Sequence, residues 1–207
     1  MIDLYTYTTP NGRKVSIALE ELGLPYTTKV VDLTKGEQFK PEFLAINPNN
    51  KIPAIVDHDV PGGLKLFESG AILVYLAEKT GRLMPSDAVG KAEVMQWLMF
   101  QMGGFGPMLG QLNYFTRMAP QRVPQAIERY YNESVRLIGV LNRHLSGHDF
   151  VARQYSIADI ALYPWAASAQ QVAPEIFSSA SGILQWMQRV GSRPAVQKGM
   201  NVPEIQR

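Results

Sequence analysis

A change in the period of the hydrophobic pattern divides this 207-residue chain into two parts and restricts the folds open to it. The strand-like segments all fall in the first part, at residues 2–7, 27–32, 52–56 and 64–67. Strand signals end by about residue 88, and apolar residues then recur only at helical spacing. The pattern predicts an α/β domain at residues 1–81, a linker at 82–88 and an all-α domain at 89–207.

Helical segments alternate with the strands of the first part. One helix follows Pro10 and ends before Gly23, a short helix lies near residues 41–46, and an apolar-striped helix occupies 71–79 with Ser69 as its N-cap. The resulting order is βαβ-α-ββα. A strand, a helix and a strand in succession predict a right-handed unit with parallel strands.

Composition excludes several function classes. A formal net charge of +2, with the basic residues scattered, gives no basis for nucleic-acid binding. The most apolar run, Ala71 to Ala77, is too short to cross a bilayer, and the N-terminus lacks the pattern of a signal peptide. We therefore expect a soluble, cytoplasmic protein with no nucleic-acid or membrane partner.

The sequence contains no cysteine. It therefore has no disulfide framework, no cysteine metal site and no thiol of its own for redox chemistry. His58 lies between two aspartates in a predicted turn, but a metal site there is a weak interpretation, and we expect no metal.

Pro53 lies where the chain enters the third strand, so Ile52-Pro53 indicates either an ordinary edge proline or a cis peptide bond. If the bond is cis, the amide and carbonyl of Ile52 would face outward and pair with an extended peptide, as an added strand does. Position alone leaves both interpretations open.

Two further short motifs each allow a structural and a ligand-binding interpretation. Glu68-Ser69 opens a helix, where Ser69 and the helix amides favour a carboxylate and Glu68 favours an ammonium group; a cap beside an acid is the simpler alternative. Thr9 and Asn11 lie in a turn that opens the first helix. Their side chains would lower the pKa of a thiol by donating to its thiolate, or they only start the helix.

In the helical part, Ser156 and Asp159 have the spacing of a capping box, which we interpret as structural. The apolar residues that could line an acceptor pocket are Phe105, Met108, Tyr114 and Phe115. They could equally belong to the core or to a dimer interface, and spacing does not separate these alternatives.

These motifs together resemble the glutathione transferase superfamily over essentially the whole chain. The resemblance rests on three segments, Asn47 to Ile55, Leu66 to Ile72 and Tyr155 to Asp159. Four more are similar to the bacterial Nu class, whose members are glutathione-dependent disulfide-bond reductases: Thr8 to Gly12, Lys35 to Phe39, Gly103 to Gln111 and Ile127 to Tyr130. The resemblance implies the glutathione transferase fold, a thioredoxin-like N-terminal domain followed by a C-terminal helical bundle.

The resemblance also implies roles for individual residues. Thr9 and Asn11 would be catalytic, donating to the glutathione sulfur in place of the tyrosine, serine or cysteine of other classes; Tyr7 ranks third as donor. The implied glutathione-binding residues are Asn11, Gln38, Lys51, Ile52, Pro53, Glu68, Ser69 and Arg129. Ile52 would pair with the cysteinyl backbone, and Gln38 and Lys51 would reach the glycyl end or a second peptide. Arg129 would contact a second glutathione or the far side of the disulfide. A solvated arginine beside Glu128 is the alternative for Arg129.

The resemblance implies reduction of a small disulfide, and because the chain has no thiol, bound glutathione would supply the thiolate and oxidised glutathione would be the product. Conjugation of glutathione to an electrophile, or a non-catalytic binding module, are the alternatives. We expect a homodimer in which residues 103–110 permit close approach near the interface.

Overall fold

The computed structural model describes residues 1–204, and the strands of this part of the chain form one four-stranded sheet. The strands are β1 Ile2–Thr6, β2 Tyr26–Val30, β3 Ala54–Asp57 and β4 Leu64–Phe67, in the order β2-β1-β3-β4. Strand β1 is parallel to β2 and antiparallel to β3, and β3 is antiparallel to β4. The predicted parallel pair is present, in β1 and β2.

The helices, in chain order, are α1 Pro10–Leu22, α2 Pro41–Leu44, α3 Ser69–Thr80, α4 Ala88–Phe100, α5 Gly106–Asn113, α6 Pro124–Leu145, α7 Ile157–Val172, α8 Ser181–Gly191 and α9 Pro194–Met200. Two π-helical segments, Gln101–Phe105 and Tyr114–Met118, flank α5. None of the helices in the described part is long and apolar enough to cross a bilayer.

The chain divides into two compact units. The first contains residues 1–82 together with the segment that begins at Ser192, and the second contains residues 83–191. The C-terminal helix α9 thus belongs with the sheet, whereas the sequence had placed it in the helical domain at 89–207.

Close packing on α1 accounts for the position of α9. The hydroxyl of Ser16 donates to the carbonyl oxygen of Gly199 at 2.7 Å, and Arg193 forms a bidentate ion pair with Glu21. A β-carbon at Gly199 would lie 2.5 Å from the α-carbon of Ile17, so glycine permits this backbone contact.

The two faces of the sheet in the first unit have different partners. Ile2, Leu4 and Thr6 of β1 are buried on one face, and Thr6 lies against Gly12 of α1. Tyr5 points to the opposite face, where its ring packs on Phe43 of α2. This alternation is the period of two expected of a strand.

Helix ends follow the predicted signals at Gly23 and Gly81, which both adopt the left-handed conformation. The prediction for the start of α3 is wrong. Ser69 is the first helical residue, and Glu68, with a φ of 68°, occupies the N-cap position without a side-chain capping bond.

In the second unit, the predicted capping box opens α7. Ser156 and Asp159 form it, and the buried Asp159 carboxylate also accepts hydrogen bonds from the amide of Val151 and from Nε1 of Trp186 on α8. These contacts confirm the structural interpretation of that motif.

Candidate functional site

The loops that carry the predicted ligand-binding residues of the first unit meet at one end of the sheet. Tyr5, Ala54 and Phe67 are cross-strand neighbours, so the end of β1, the start of β3 and the end of β4 lie at the same edge. Thr6 pairs with Val30, which brings the end of parallel β2 to that edge as well. The segments 7–11, 50–53 and 68–69 therefore leave or enter the sheet together.

Thr9 and Asn11 stand at the start of α1. Thr9 is the N-cap, and its Oγ1 accepts a hydrogen bond from the amide of Gly12 at 3.1 Å, while Pro10 is the first helical residue. The helix-start interpretation is therefore confirmed. It leaves the hydroxyl hydrogen of Thr9 able to donate, because a hydroxyl accepts and donates at once.

The Ile52-Pro53 peptide bond is cis, which settles the alternative that the sequence left open. The loop before it is fixed by Asn47, whose Nδ2 donates to the carbonyl oxygen of Lys51 at 2.6 Å and whose Oδ1 accepts from the amide of Asn49. Asn47 is itself buried, so this loop is held from inside the unit.

Glu68 and Ser69 differ sharply in exposure. Glu68 is exposed, whereas Ser69 is only 3% exposed at the first turn of α3. The left-handed backbone of Glu68 is unfavourable for a residue other than glycine, and such strain concentrates at functional sites.

Gln38 and Lys51 have different surroundings. Gln38 lies in a short 3₁₀ turn at residues 37–39, and its Oε1 is buried without a hydrogen-bond partner. A buried acceptor without a donor is costly, so a ligand N–H at this position would be stabilising. Lys51 is exposed.

Tyr7 lies close to the site but packs as an apolar residue. Its ring contacts a cluster that includes Val31, Phe43, Ile52 and Ala54. This places Tyr7 beside the Ile52 loop.

Arg129 lies in the second unit, on α6, where it lines an open cavity of about 690 Å³. The other residues of this cavity are mostly polar or charged: Met108, Gln125, Glu128, Tyr130, Asn132, Glu133 and Arg136. Arg129 and Glu128 are both exposed, as the alternative interpretation expected. The contact of Arg129 with a second glutathione stays a prediction.

The apolar residues considered for an acceptor pocket separate in the structure. Phe105 is fully buried and belongs to the core, Tyr114 is 42% exposed, and Phe115 stacks on Tyr130 with ring centroids 5.5 Å apart. Met108 lines the cavity of Arg129.

Two glycines of the 103–110 segment have a packing role inside the chain. β-Carbons at Gly106 and Gly110 would lie 3.3 and 3.2 Å from the Trp165 ring of α7. The small residues that suggested a subunit interface therefore also allow α5 to approach α7.

Within residues 1–204, no cluster of three or more His, Asp or Glu side chains has a geometry that would hold a metal ion.

Comparison with known proteins agrees with a first unit that contains the sheet and a second unit that is helical. Residues 1–78 match the N-terminal domain of glutathione S-transferase and residues 124–189 match the C-terminal domain. The chain is 50% identical to the disulfide-bond oxidoreductase YfcG of Escherichia coli over 206 residues, which are 97% of this chain and 94% of the relative.

The chain belongs to the glutathione transferase family. It is an enzyme of that family, and its fold is the glutathione transferase fold, as predicted.

Solved structures of other glutathione transferases are closely similar. One from Burkholderia graminis, with two glutathione molecules bound per subunit, has a TM-score of 0.95 and 46% identity, covering 99% of this chain and 89% of that one. One from Pseudomonas putida, with one glutathione disulfide bound per subunit, has a TM-score of 0.94 and 46% identity, covering 98% and 91%.

Sequence reasoning missed one residue of this glutathione transferase that lies at the site. Lys14, on α1, is only 1% exposed, and its Nζ donates to Oγ of Ser69 at 3.3 Å. A signal was present, because Lys14 precedes Ala18 by four residues and so falls on the apolar stripe of the helix.

Proposed function

We propose that this enzyme reduces disulfide bonds with the thiolate of bound glutathione and releases oxidised glutathione. The observation that carries the proposal is that Thr9 and Asn11 open α1 beside the sheet edge in a chain without cysteine. A thiol must then come from the ligand. The names of the relatives support the same reaction, since YfcG is called a disulfide-bond oxidoreductase.

Glutathione would bind along the edge formed by the three loops. The γ-glutamyl group would lie at Glu68 and Ser69, the cysteinyl backbone at Ile52, and the glycyl end near Gln38 and Lys51. Gln38 supports this direction, because its Oε1 has no hydrogen-bond partner in the structure and would pair with a peptide N–H once the side chain turns toward the ligand. The bound peptides in the Burkholderia graminis and Pseudomonas putida structures support glutathione as the co-substrate.

The thiolate would lie near Thr9 and Asn11, at the N-terminus of the 13-residue helix α1. Side-chain donors and the positive end of the helix dipole both stabilise a negative sulfur. Thiol exchange is fastest when the attacking thiol has a pKa near the ambient pH, so a modest decrease from about 8.5 is sufficient.

Two exchange steps complete the reaction. The glutathione thiolate attacks one sulfur of the disulfide, forms a mixed disulfide and expels the other sulfur as a thiolate, which takes a proton from solvent. A second glutathione thiolate then attacks the glutathione sulfur of the mixed disulfide, so oxidised glutathione and a second thiol leave. The protein provides position and electrostatic stabilisation and forms no covalent intermediate.

The test measures two activities of one preparation. Reduction of 2-hydroxyethyl disulfide is followed through glutathione reductase and NADPH, and conjugation is followed with 1-chloro-2,4-dinitrobenzene. We expect strong reduction with feeble conjugation. Strong conjugation with feeble reduction would establish a conjugating transferase instead, and no activity in either assay would leave a binding module.

We further propose that the protein is a Nu-class homodimer that works in the cytoplasm. The similarity to YfcG supports the class. Light scattering at micromolar concentration tests the dimer, and a monomer mass would contradict it.

A further inference from the structure

Asn11 is the only asparagine among the 207 residues that is followed directly by a glycine. In any chain, the backbone nitrogen of the residue after an asparagine can attack the side-chain carbonyl carbon of that asparagine and displace its amide. The attack is easiest before glycine, because glycine has no side chain to hinder it and has the most mobile backbone. The pair Asn11-Gly12 is therefore the position in this chain where the attack is chemically most favourable.

The fold requires glycine as the second member of this pair. A β-carbon at Gly12 would lie 2.4 Å from Oγ1 of Thr6 and 2.5 Å from the carbonyl oxygen of Tyr7. A larger residue that would hinder the attack therefore does not fit at position 12. The rate at Asn11 then depends on how firmly the backbone of the turn is held.

Two hydrogen bonds to Thr9 hold this turn in its helical form. The amide nitrogen of Gly12, which is the attacking atom, donates to Oγ1 of Thr9 at 3.1 Å, so its proton is held in that bond. The amide of Arg13 donates to the carbonyl oxygen of Thr9 at 3.0 Å. Closing a five-membered ring at Asn11 turns its ψ angle away from the helical value, so the first turn of α1 must open before the reaction.

We propose that Asn11 is a site of spontaneous deamidation and that the capping bond of Thr9 controls its rate. In the opened turn, the Gly12 nitrogen loses its proton to solvent and bonds to Cγ of Asn11, and the side-chain nitrogen takes up a proton and leaves as ammonia. Water then adds to either carbonyl carbon of the succinimide ring and breaks the bond from that carbon to the ring nitrogen. The product is aspartate or isoaspartate, with one water consumed and one ammonia released.

The two products should differ in their effect on α1. Aspartate keeps the length of the main chain, and a carboxylate in the first turn of a helix is favourable, so we expect this form to stay folded. Isoaspartate adds a carbon atom to the main chain and would disrupt the start of the helix. The effect on activity rests on the proposed function: both products replace the NH₂ donor of Asn11 with a negative charge, which would raise the pKa of a thiol placed there.

The chemical change can be followed in one peptide. Trypsin releases residues 1–13, which contain Asn11 and no other asparagine or glutamine. Samples are incubated at alkaline pH and digested in a mildly acidic buffer, which suppresses deamidation during digestion. Mass spectrometry measures the total product, and an isoaspartyl methyltransferase assay measures the isoaspartate.

Thr9→Val keeps the shape of the side chain and removes the acceptor of the capping bond. We expect Asn11 to deamidate about fivefold faster in this variant than in the unaltered protein, the factor that corresponds to loss of a typical N-cap. Thr27→Val, at an exposed position on β2, is the control and should leave the rate unchanged. Equal rates in Thr9→Val and the unaltered protein would overturn the role of Thr9, as would a matched increase at every asparagine, which indicates general unfolding.

Denaturant provides a measurement that needs no variant and decides if Thr9→Val does not fold. The rate at Asn11 in the unaltered protein should increase with urea concentration toward the rate of the unfolded chain, because opening of the turn becomes more frequent. A rate that does not depend on urea would show that the folded turn gives no protection and would overturn the proposal. Faster deamidation of another asparagine in the unfolded chain would overturn the choice of Asn11.

Activity distinguishes this modification site from the proposed function. Asn11→Asp reproduces one product, and we expect it to keep the thermal stability of the unaltered protein and to lose at least tenfold in glutathione-dependent reduction, as for a lost charge-stabilising donor. If Asn11 deamidates as predicted while Asn11→Asp keeps full activity, the modification site stands and the role of Asn11 as sulfur donor fails.

Discussion

Gly12 packs directly against the carbonyl oxygen of Tyr7. A β-carbon at Gly12 would lie 2.5 Å from that oxygen and 2.4 Å from Oγ1 of Thr6. Real β-carbons do not approach backbone oxygen so closely, so only glycine allows α1 to begin this near the end of β1. The turn that holds Thr9 and Asn11 is thus fixed by a contact of the backbone.

Gly12→Ala should therefore move this turn. We expect the free energy of unfolding to decrease by about 1–3 kcal/mol because of overpacking. Glutathione-dependent reduction should decrease more than tenfold, because small displacements of reacting groups are costly. Thermal unfolding and the coupled reductase assay measure the two effects. Gly147→Ala is the control: Gly147 is exposed, has open space around it and has no positive φ, so its replacement should not be destabilising.

The sulfur donors can be ranked by substitution. Asn11→Ala should lower the turnover number for 2-hydroxyethyl disulfide more than Tyr7→Phe, because Tyr7 packs in an apolar cluster while Asn11 lies in the turn that opens α1. Saturating glutathione separates the effect on chemistry from the effect on binding. The reverse ranking would move the thiolate to the phenol of Tyr7.

Glu68 should lower the stability of the protein and strengthen the binding of glutathione. Its φ of 68° is costly for a residue with a β-carbon, so Glu68→Gly should raise the free energy of unfolding by about 1 kcal/mol. The same change removes the proposed partner of the ligand ammonium, and we expect at least tenfold weaker glutathione binding. Glu68→Gln separates the two effects, since it should weaken binding without the gain in stability. Unchanged affinity in both variants would contradict the assignment.

Asp159 should carry much of the stability of the helical unit. Its buried carboxylate accepts from the amides of Val151 and Ser156 and from Nε1 of Trp186. Asp159→Ala leaves these donors without an acceptor, and we expect a loss of about 3 kcal/mol or more in denaturant unfolding. Asp149→Ala, which breaks only the exposed ion pair with Arg189, should have little effect.

The first unit should lose stability in acid through Asp57. Burial alone would raise the pKa of this carboxyl, but hydrogen bonds from Lys79, Tyr75 and the amide of Asp59 outweigh burial and hold the pKa below its usual value. A depressed folded-state pKa contributes stability above the unfolded pKa, near 4, and this contribution is lost as the pH falls through the folded value.

Lys79→Met tests this network. We expect it to lower the free energy of unfolding by about 1–3 kcal/mol at pH 7, because Asp57 stays buried without its cation. The deficit relative to the unaltered protein should shrink as the pH falls from about 4 through the lowered folded-state pKa of Asp57, where this carboxyl becomes protonated. A deficit independent of pH would show that Lys79 acts through packing. Lys29→Met, at an exposed position on β2, is the control.

The sequence was sufficient for the elements of the first unit. Period-two and helical patterns, with glycines at two helix ends, located its four strands and three of its helices, because those signals are local. The start of α3 was missed because the left-handed backbone of Glu68 breaks the local rule that an N-cap serine opens a helix.

Local sequence patterns did not predict the long-range packing of the chain. The return of α9 to the sheet unit depends on contacts between Gly199 and Ile17 that lie 182 positions apart, and no local pattern indicates them. Lys14 gave only a faint signal, since one lysine on an apolar stripe more often extends to solvent than lies buried. The contact between Lys14 and Ser69 requires the two helices to be placed together.

The most direct test of the account is the rate at which 2-mercaptoethanol is released from 2-hydroxyethyl disulfide by glutathione as the protein concentration is varied. We predict a rate proportional to protein concentration and saturable in glutathione. Dithiothreitol should not replace glutathione, because the chain has no cysteine to relay its electrons. A rate that the protein does not change, or equal acceleration with dithiothreitol, would contradict reduction by a bound glutathione thiolate.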